Sequence, residues 1–467
     1  MLKGRTGKYI ALAAGVVAVS MLVSSARSAV DQSYEKLKVL IQVLRIVQDN
    51  YVDETDSNKL IYGAVKGVVR ELDDFSQFME PETNAKVKSD TEGEFGGLGI
   101  TITTRDGFVT IVTPLPNTPA YAAGIQPGDK IVAIEGESTQ DITADDAVNK
   151  LRGKIGTKVK ITVAREPAQK DGEWIRQDYE LVRAKIVPET VQYRLMDGNI
   201  GYIHIIDFSG HAVEKTAEAL SELKKQGMQA LVLDLRYNPG GLLTAACDIS
   251  RFFLDRNKMI VYTKGRRPEN YQEFRSDAAA PYSDLPLVVL VNGGSASASE
   301  IVSGAVQDNK RGIIIGSRTF GKASVQSIVP LVDGSGLRLT VARYYTPSGK
   351  SIHRDPKNDT GGITPDIEVK VDRDAMVRIF EQYSKIYKPG KEEKPGADSK
   401  AAKEPPAGGE VKNGAAKPGA GKDGKPFTPA AKKDEKPAVR DEALDRAVEI
   451  LKARAVFANL NSGGKAL

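Results

Sequence analysis

The sequence predicts an α/β protein with a mostly β module inserted between N-terminal helices and a core of alternating strands and helices. Three observations predict it. Leu37, Leu40, Ile41, Leu44 and Val47 recur at three and four residues, the spacing of one helical face. Residues 95–185 break into short alternating runs punctuated by Gly and Pro, the grammar of antiparallel strands. From Asn199 onward, apolar runs and helical stretches take turns, and in such folds ligand chemistry gathers at the loops that follow the strands.

The first 29 residues stand apart. Lys3, Arg5 and Lys8 precede an apolar run over 10–23, which gives way to Ser24, Ser25 and Ala26. This reads as a secretory signal with Ser24-x-Ala26 as the cleavage site. The alternative is a retained N-terminal membrane anchor, although the run is short of the ~20 residues of a stable span. Both readings export the body, to the periplasm or the outer face of the cytoplasmic membrane. Residues 30–90 form the helical region, with a second helix over 57–72. Its apolar stripe has two outlets, packing on the body of the protein or on a second copy as a homodimer.

Composition narrows the chemistry. The net charge of +5 is small for 467 residues, and no nucleic-acid-binding motif accompanies it. Cys247 is the only cysteine, so an intrachain disulfide and a thiolate metal site are excluded. His204, His211 and His353 lack the spacing of a zinc helix motif. Neither a metal nor a cofactor is expected.

Within residues 91–185, Phe95-Gly-Gly-Leu-Gly-Ile100 leads into an alternating strand, and a second strand covers 108–113. Ala123-Gly-Ile-Gln-Pro-Gly-Asp129 makes a turn into the strand 130–134. Thr143 caps a helix that runs to Leu151, and residues 157–164 close the module. Three segments in this order resemble a PDZ domain. In that resemblance Gly97, Leu98, Gly99 and Ile100 bind a substrate's terminal carboxylate. Their backbone N–H groups can converge as an anion nest while the peptide adds as a strand beside 100–104. A tight turn with no ligand is the plainer reading of the glycines.

The core spans 186–387. Strands are predicted at 200–206, 230–235, 287–291, 312–316, 325–331 and 337–345, with helices over 213–226, from 242 through 254, and from the 292–300 turn to 307. Residues 388–438, rich in Lys, Gly, Pro, Ala and Glu, cannot bury a core and read as a linker. Residues 439–467 close with a helix whose Leu444, Ala447, Ile450 and Leu451 need a surface, on this chain or on a partner subunit.

Three loops converge chemically. Gly294-Ser-Ala-Ser-Ala-Ser-Glu300 lies where a buried strand meets a helix, so a serine there sits at the positive end of the helix beside the amide of Ala298. Thr319-Phe-Gly-Lys322 follows the next strand, with Gln326 beyond it. Asp234-Leu-Arg-Tyr-Asn-Pro-Gly-Gly241 is a strand-to-helix turn whose Gly240 and Gly241 amides can complete an oxyanion hole with Ala298. Residue types alone do not choose among Ser295, Ser297 and Ser299, since serine also caps helices. Lys322 read alone is a surface lysine. As a base it needs apolar walls that favour its neutral form, for which Ile315, Phe320 and Val325 are the neighbours in sequence.

Together these motifs, with Leu72-Asp-Asp-Phe-Ser76 and Thr346-Pro-Ser-Gly349, resemble the carboxy-terminal processing peptidases, also called tail-specific proteases, over residues 34–369. The resemblance implies a crotonase-like core with an inserted PDZ domain. It also implies Ser297 as nucleophile, Lys322 as base 25 residues later, and Gln326 as the group that orients Lys322. The implied partners are proteins or peptides with free, apolar C-termini. The implied reaction is serine endopeptidase cleavage through an acyl-enzyme. A catalytically silent PDZ scaffold is the competing reading, and the presence of both Ser297 and Lys322 weighs against it.

Overall fold

The computed structural model describes residues 34–105, 107–167, 174–355, 357–370, scattered positions between 372 and 382, and 439–463. The predicted export segment at 1–29 and the predicted linker at 388–438 lie outside the described residues. The described residues fall into two compact units, one within 34–87 with 324–342, the other within 88–323 with 343–463. Residues 324–342, which the sequence analysis placed in the core segment, thus group with the N-terminal region.

In the first unit, helices cover 34–50 and Ser57–Arg70. Asp56 caps the second, its carboxylate accepting from the N–H of Asn58 and Lys59 at 2.8 and 3.3 Å. In the next motif Asp73 Oδ1 takes the N–H of Phe75 and Ser76 at 2.8 and 2.7 Å, which explains why Leu72-Asp-Asp-Phe-Ser76 turns tightly. The strand Gln77–Met79 pairs antiparallel with Gly336–Arg338. At the turn of the 324–342 hairpin, bonds from Ser335 and Tyr62 hold the Asp333 carboxyl down at about 2. Among the described residues none buries Leu37, Leu40 and Ile41 of the stripe on the first helix, which are exposed.

The second unit carries the β module and the α/β core. In the module the strands Ile100–Arg105, Phe108–Pro114, Lys130–Ile134, Lys158–Arg165 and Ile175–Val182 form one antiparallel sheet in chain order, which leaves Ile100–Arg105 at its edge. Val109, Ile131, Val159 and Ile161 fill its core with Ala147 and Leu151 from the helix Ala144–Leu151. Thr143 caps that helix as expected, accepting from the N–H of Asp146 at 3.1 Å.

The core sheet runs Val191–Met196, Ile200–Ile205, Ala230–Asp234, Leu287–Val291, Ile313–Gly316 and Ile367–Glu368 in spatial order. The first pair is antiparallel and the rest parallel. Every residue of Ala230–Asp234 and of Leu287–Val291 is buried, as parallel strands covered on both faces require. Tyr202, Val232, Val288, Leu290 and Ile315 pack in one cluster with Ala443, Leu444, Ala447 and Leu451 of the helix Glu442–Gly463. The C-terminal helix therefore finds its surface on this chain.

Candidate active site

The site grows from the end of the strand Leu287–Val291. Asn292 Oδ1 gathers the N–H of Tyr237 and Gly294 at 2.9 and 3.0 Å, which folds the chain back before the helix Ala298–Asp308 begins. Ser297 sits at the joint with φ +55° and ψ −112°, a backbone conformation non-glycine residues rarely hold. Its two rivals are committed elsewhere. The Ser295 hydroxyl donates to the Leu235 carbonyl at 2.7 Å and the Ser299 hydroxyl to the Asn238 carbonyl at 3.0 Å, and both residues are fully buried. Of the three serines, Ser297 alone is partly exposed.

Glu300 organises what surrounds it. One oxygen, Oε2, accepts from the backbone N–H of Ser297 at 2.8 Å and of Lys322 at 2.9 Å. The other, Oε1, accepts from the Thr319 hydroxyl at 2.6 Å and the Gly321 N–H at 2.7 Å. Burial pushes the Glu300 carboxyl above its ordinary range, although the four donors all favour the charged form. Glu300 carries no expected role from the motifs, yet the spacing Ser297-x-x-Glu300 is a capping-box signature that announces its reach back to Ser297. Tyr344, fully buried, was also missed. Its hydroxyl donates to the Lys322 carbonyl and hydrogen-bonds the Ser297 side chain. Burial and the charge of Glu300 keep the phenol protonated well above its usual range. No local pattern marks that tyrosine.

Lys322 is partly buried. Two of its expected walls are elsewhere. The N–H of Phe320 bonds the Ser295 carbonyl at 3.0 Å, yet its ring is 46% exposed. Ile315 faces the cluster under the C-terminal helix. Gln326 belongs to the first unit, where its amide nitrogen donates to the Phe75 carbonyl at 2.6 Å.

The glycine turn requires one correction. Gly240 was expected to offer its N–H to an oxyanion, but that group donates to Asn238 Oδ1 at 2.9 Å. Gly240 is instead needed for closeness: with φ +104°, a Cβ there would lie 2.7 Å from Ser297 Cβ and 3.0 Å from the Ala298 nitrogen. Gly241 and Ala298 remain as candidate donors. Ala298 is the first residue of its helix, where N–H groups have no partner within the helix. Asn238 is itself fixed, its Nδ2 donating to the Ile205 carbonyl at 2.8 Å.

Beneath the turn lies a buried ionic cluster. Arg236 bonds Asp234, and its two terminal nitrogens reach Asp441 Oδ1 and Oδ2 at 2.9 and 2.8 Å. Tyr202 donates to Asp234 Oδ2 at 2.7 Å. Burial opposes ionisation of Asp234, but the charge and hydrogen bonds of Arg236 outweigh it and hold the carboxyl below its ordinary value. Burial lowers His204 alongside.

The four residues expected to bind a C-terminus line one groove, together with Phe95, Ile102, Val148, Leu151 and Arg152. The carbonyls of Leu98 and Gly99 turn into the module, accepting from Ala120 and Leu115 at 3.1 and 2.8 Å. Gly99 holds φ +72° against Thr118, whose side chain a Cβ would meet at 2.3 Å. Among the described residues no group of His, Cys, Asp and Glu is placed to hold a metal ion.

Comparison with known proteins agrees with this architecture. Residues 199–369 match Peptidase family S41, residues 110–165 a PDZ domain, and residues 1–83 the N-terminal domain of the activating protease CtpB. A carboxy-terminal-processing protease of Bartonella bacilliformis is 38% identical over 371 residues, spanning 78% of this chain and 82% of its own. A carboxyl-terminal-processing protease of Synechocystis sp. is 36% identical over 387 residues, covering 78% and 87%. The carboxy-terminal processing protease CtpA of Bacillus subtilis is 34% identical over 372 residues, covering 79% and 76%. The chain belongs to the carboxy-terminal processing proteases of peptidase family S41, serine peptidases in which a PDZ domain is joined to a mixed α/β core.

Proposed function

We propose that this peptidase is exported, captures substrate C-termini in its PDZ groove and cleaves near them with Ser297 as nucleophile and Lys322 as base. The observation that carries the reading is the shared oxygen of Glu300, which ties the backbones of both residues to one point. Neutral Lys322 takes the Ser297 hydroxyl proton as the oxygen attacks the peptide carbonyl. The N–H groups of Ala298 and Gly241 receive the oxyanion. Protonated Lys322 gives that proton to the leaving amine as the peptide C–N bond breaks, and, neutral again, it takes a proton from the water that hydrolyses the acyl-enzyme. Gln326 is the proposed orienting group. The free edge of Ile100–Arg105 accepts the substrate as an added strand, and the 97–100 loop takes its carboxylate. Apolar Ile100, Ile102, Val148 and Leu151 favour apolar C-termini.

The test is cleavage of an unstructured protein with an apolar C-terminus. Ser297→Ala, Lys322→Ala and Lys322→Arg each abolish cleavage, because arginine stays charged and cannot act as the base. Full activity in Lys322→Arg overturns the assignment. Amidating the substrate's C-terminus slows cleavage, and equal rates for acid and amide remove the carboxylate from PDZ recognition. Export is tested by fractionating cells that express the full chain: recovery in the cytoplasm refutes it.

A further inference from the structure

Tyr344 places a polar atom where packing alone asks for none. The residue is 2% exposed, on the strand Gly336–Tyr345. Phenylalanine would fill the same space without burying a hydroxyl, and a buried hydroxyl costs free energy unless it is bonded. Both partners of this hydroxyl belong to the reacting pair: the Lys322 carbonyl, to which it donates, and the Ser297 side chain. The next residue, Tyr345, turns to the other face of the strand and stacks on Tyr262 at 5.2 Å.

The backbone fixes the phenol in place. The Tyr344 N–H donates to the Ala323 carbonyl at 3.0 Å, which pins the strand to the loop carrying Lys322. The Glu300 carboxylate spends its four bonds on three backbone N–H groups and the Thr319 hydroxyl. The Tyr344 hydroxyl reaches the Ser297 side chain itself.

A phenol carries one proton. In the resting site that proton goes to the Lys322 carbonyl, so toward Ser297 the phenol oxygen accepts. Rotation about the phenol C–O bond turns the proton from one partner to the other without moving the ring. The two partners become unequal once reaction begins. The carbonyl stays neutral, whereas Ser297 Oγ gathers negative charge as its own proton leaves for Lys322, and again as it departs from the acyl group. A charged acceptor makes the stronger hydrogen bond.

We propose that Tyr344 is a further catalytic residue, whose phenol proton turns from the Lys322 carbonyl to Ser297 Oγ as charge develops there. The proposal rests on the reading of Ser297 as nucleophile. Lys322 remains the group that takes and gives protons, and Tyr344 only donates a hydrogen bond. Because that bond is stronger in the transition state than before it, it raises kcat rather than tightening binding. Burial and the charge of Glu300 keep the phenol protonated, so the donor is present at neutral pH.

The experiment varies the acidity of the phenol in the full chain. Cleavage of an unstructured protein with an apolar C-terminus is followed at neutral pH for wild type, Tyr344→Phe and chains with mono- or difluorinated tyrosine at position 344. Tyr344→Phe lowers kcat about 10- to 100-fold, the loss expected for a hydrogen bond to a charged group, with KM unchanged. The fluorinated chains keep the hydroxyl and the ring, melt with the wild type, and cleave faster as the phenol becomes more acidic. A purely structural hydroxyl gives equal rates across the fluorinated series. Equal or falling rates there overturn the proposal, even where Tyr344→Phe folds poorly, and so does wild-type kcat in a folded Tyr344→Phe. A fluorophosphonate label located by mass spectrometry separates the two readings. Label on a residue other than Ser297 refutes the nucleophile, whereas label on Ser297 with a flat series refutes only the role of Tyr344.

Discussion

Ser297 and Lys322, 25 residues apart in sequence, donate their backbone N–H groups to the same oxygen, Glu300 Oε2, at 2.8 and 2.9 Å. A carboxylate is suited to this because its oxygens accept several donors without offering one. The strained joint at Ser297 and the loop of Lys322 are thereby fixed to each other through one rigid group on the helix that Ser297 opens.

Glu300→Gln keeps the size of the side chain and replaces one acceptor oxygen with a donor. Whichever way the amide turns, a backbone N–H loses its acceptor. The expected outcome is a kcat lower by about 100-fold with the fold retained, since small displacements of reacting groups cost that much. Glu300→Ala leaves buried donors unsatisfied at about 1–3 kcal/mol each and unfolds more readily. Steady-state kinetics with circular dichroism on both variants checks this, and wild-type kcat in Glu300→Gln contradicts it.

Asp234 gives stability a pH signature. Its folded carboxyl titrates below the ordinary 3.8. The stabilisation is therefore complete above that value and is lost as pH falls through the folded one. Asp234→Asn leaves Arg236 short of a buried counter-ion and costs about 3–5 kcal/mol at neutral pH. Urea denaturation of wild type and variant across pH 7 to 2 checks the sign: the gap stays constant down to about pH 4 and closes only below it.

Gly99→Ala places a Cβ against Thr118 in a left-handed backbone. The 97–100 loop must shift, and its N–H groups lose their common aim. Binding of a C-terminal peptide, followed by calorimetry, weakens by at least about tenfold, an energetic cost of ~1.4 kcal/mol. Hydrolysis of a short internal peptide that does not engage the PDZ groove keeps its rate.

Much of this organisation was legible because it is local. The apolar runs at 230–234 and 287–291 announce buried strands, and the Gly294–Glu300 turn announces a helix start. What escaped depends on contacts between distant segments. Glu300 reaches Lys322 because the strand Ile313–Gly316 pairs with Leu287–Val291, a parallel register that neither segment spells out alone. The loss of the Gly240 donor turns on the Asn238 side chain, whose orientation a motif does not record. Phe320 read as a wall because it is apolar and adjacent, yet it is exposed. The stripe on the first helix gave a correct periodicity and no information on what would cover it.

The ionic cluster under the glycine turn has a consequence for the birth of the protein. Arg236 meets one carboxylate two residues before it and another 205 residues after it. A ribosome has therefore made the serine turn, the lysine loop and most of the sheet long before it makes Asp441. Until then the guanidinium lacks half of its clamp, and Tyr202, Val232 and Leu290 lack the helix that covers them. The order of translation becomes an order of assembly, in which the turn against Ser297 is braced last and an unfinished chain cannot brace it at all.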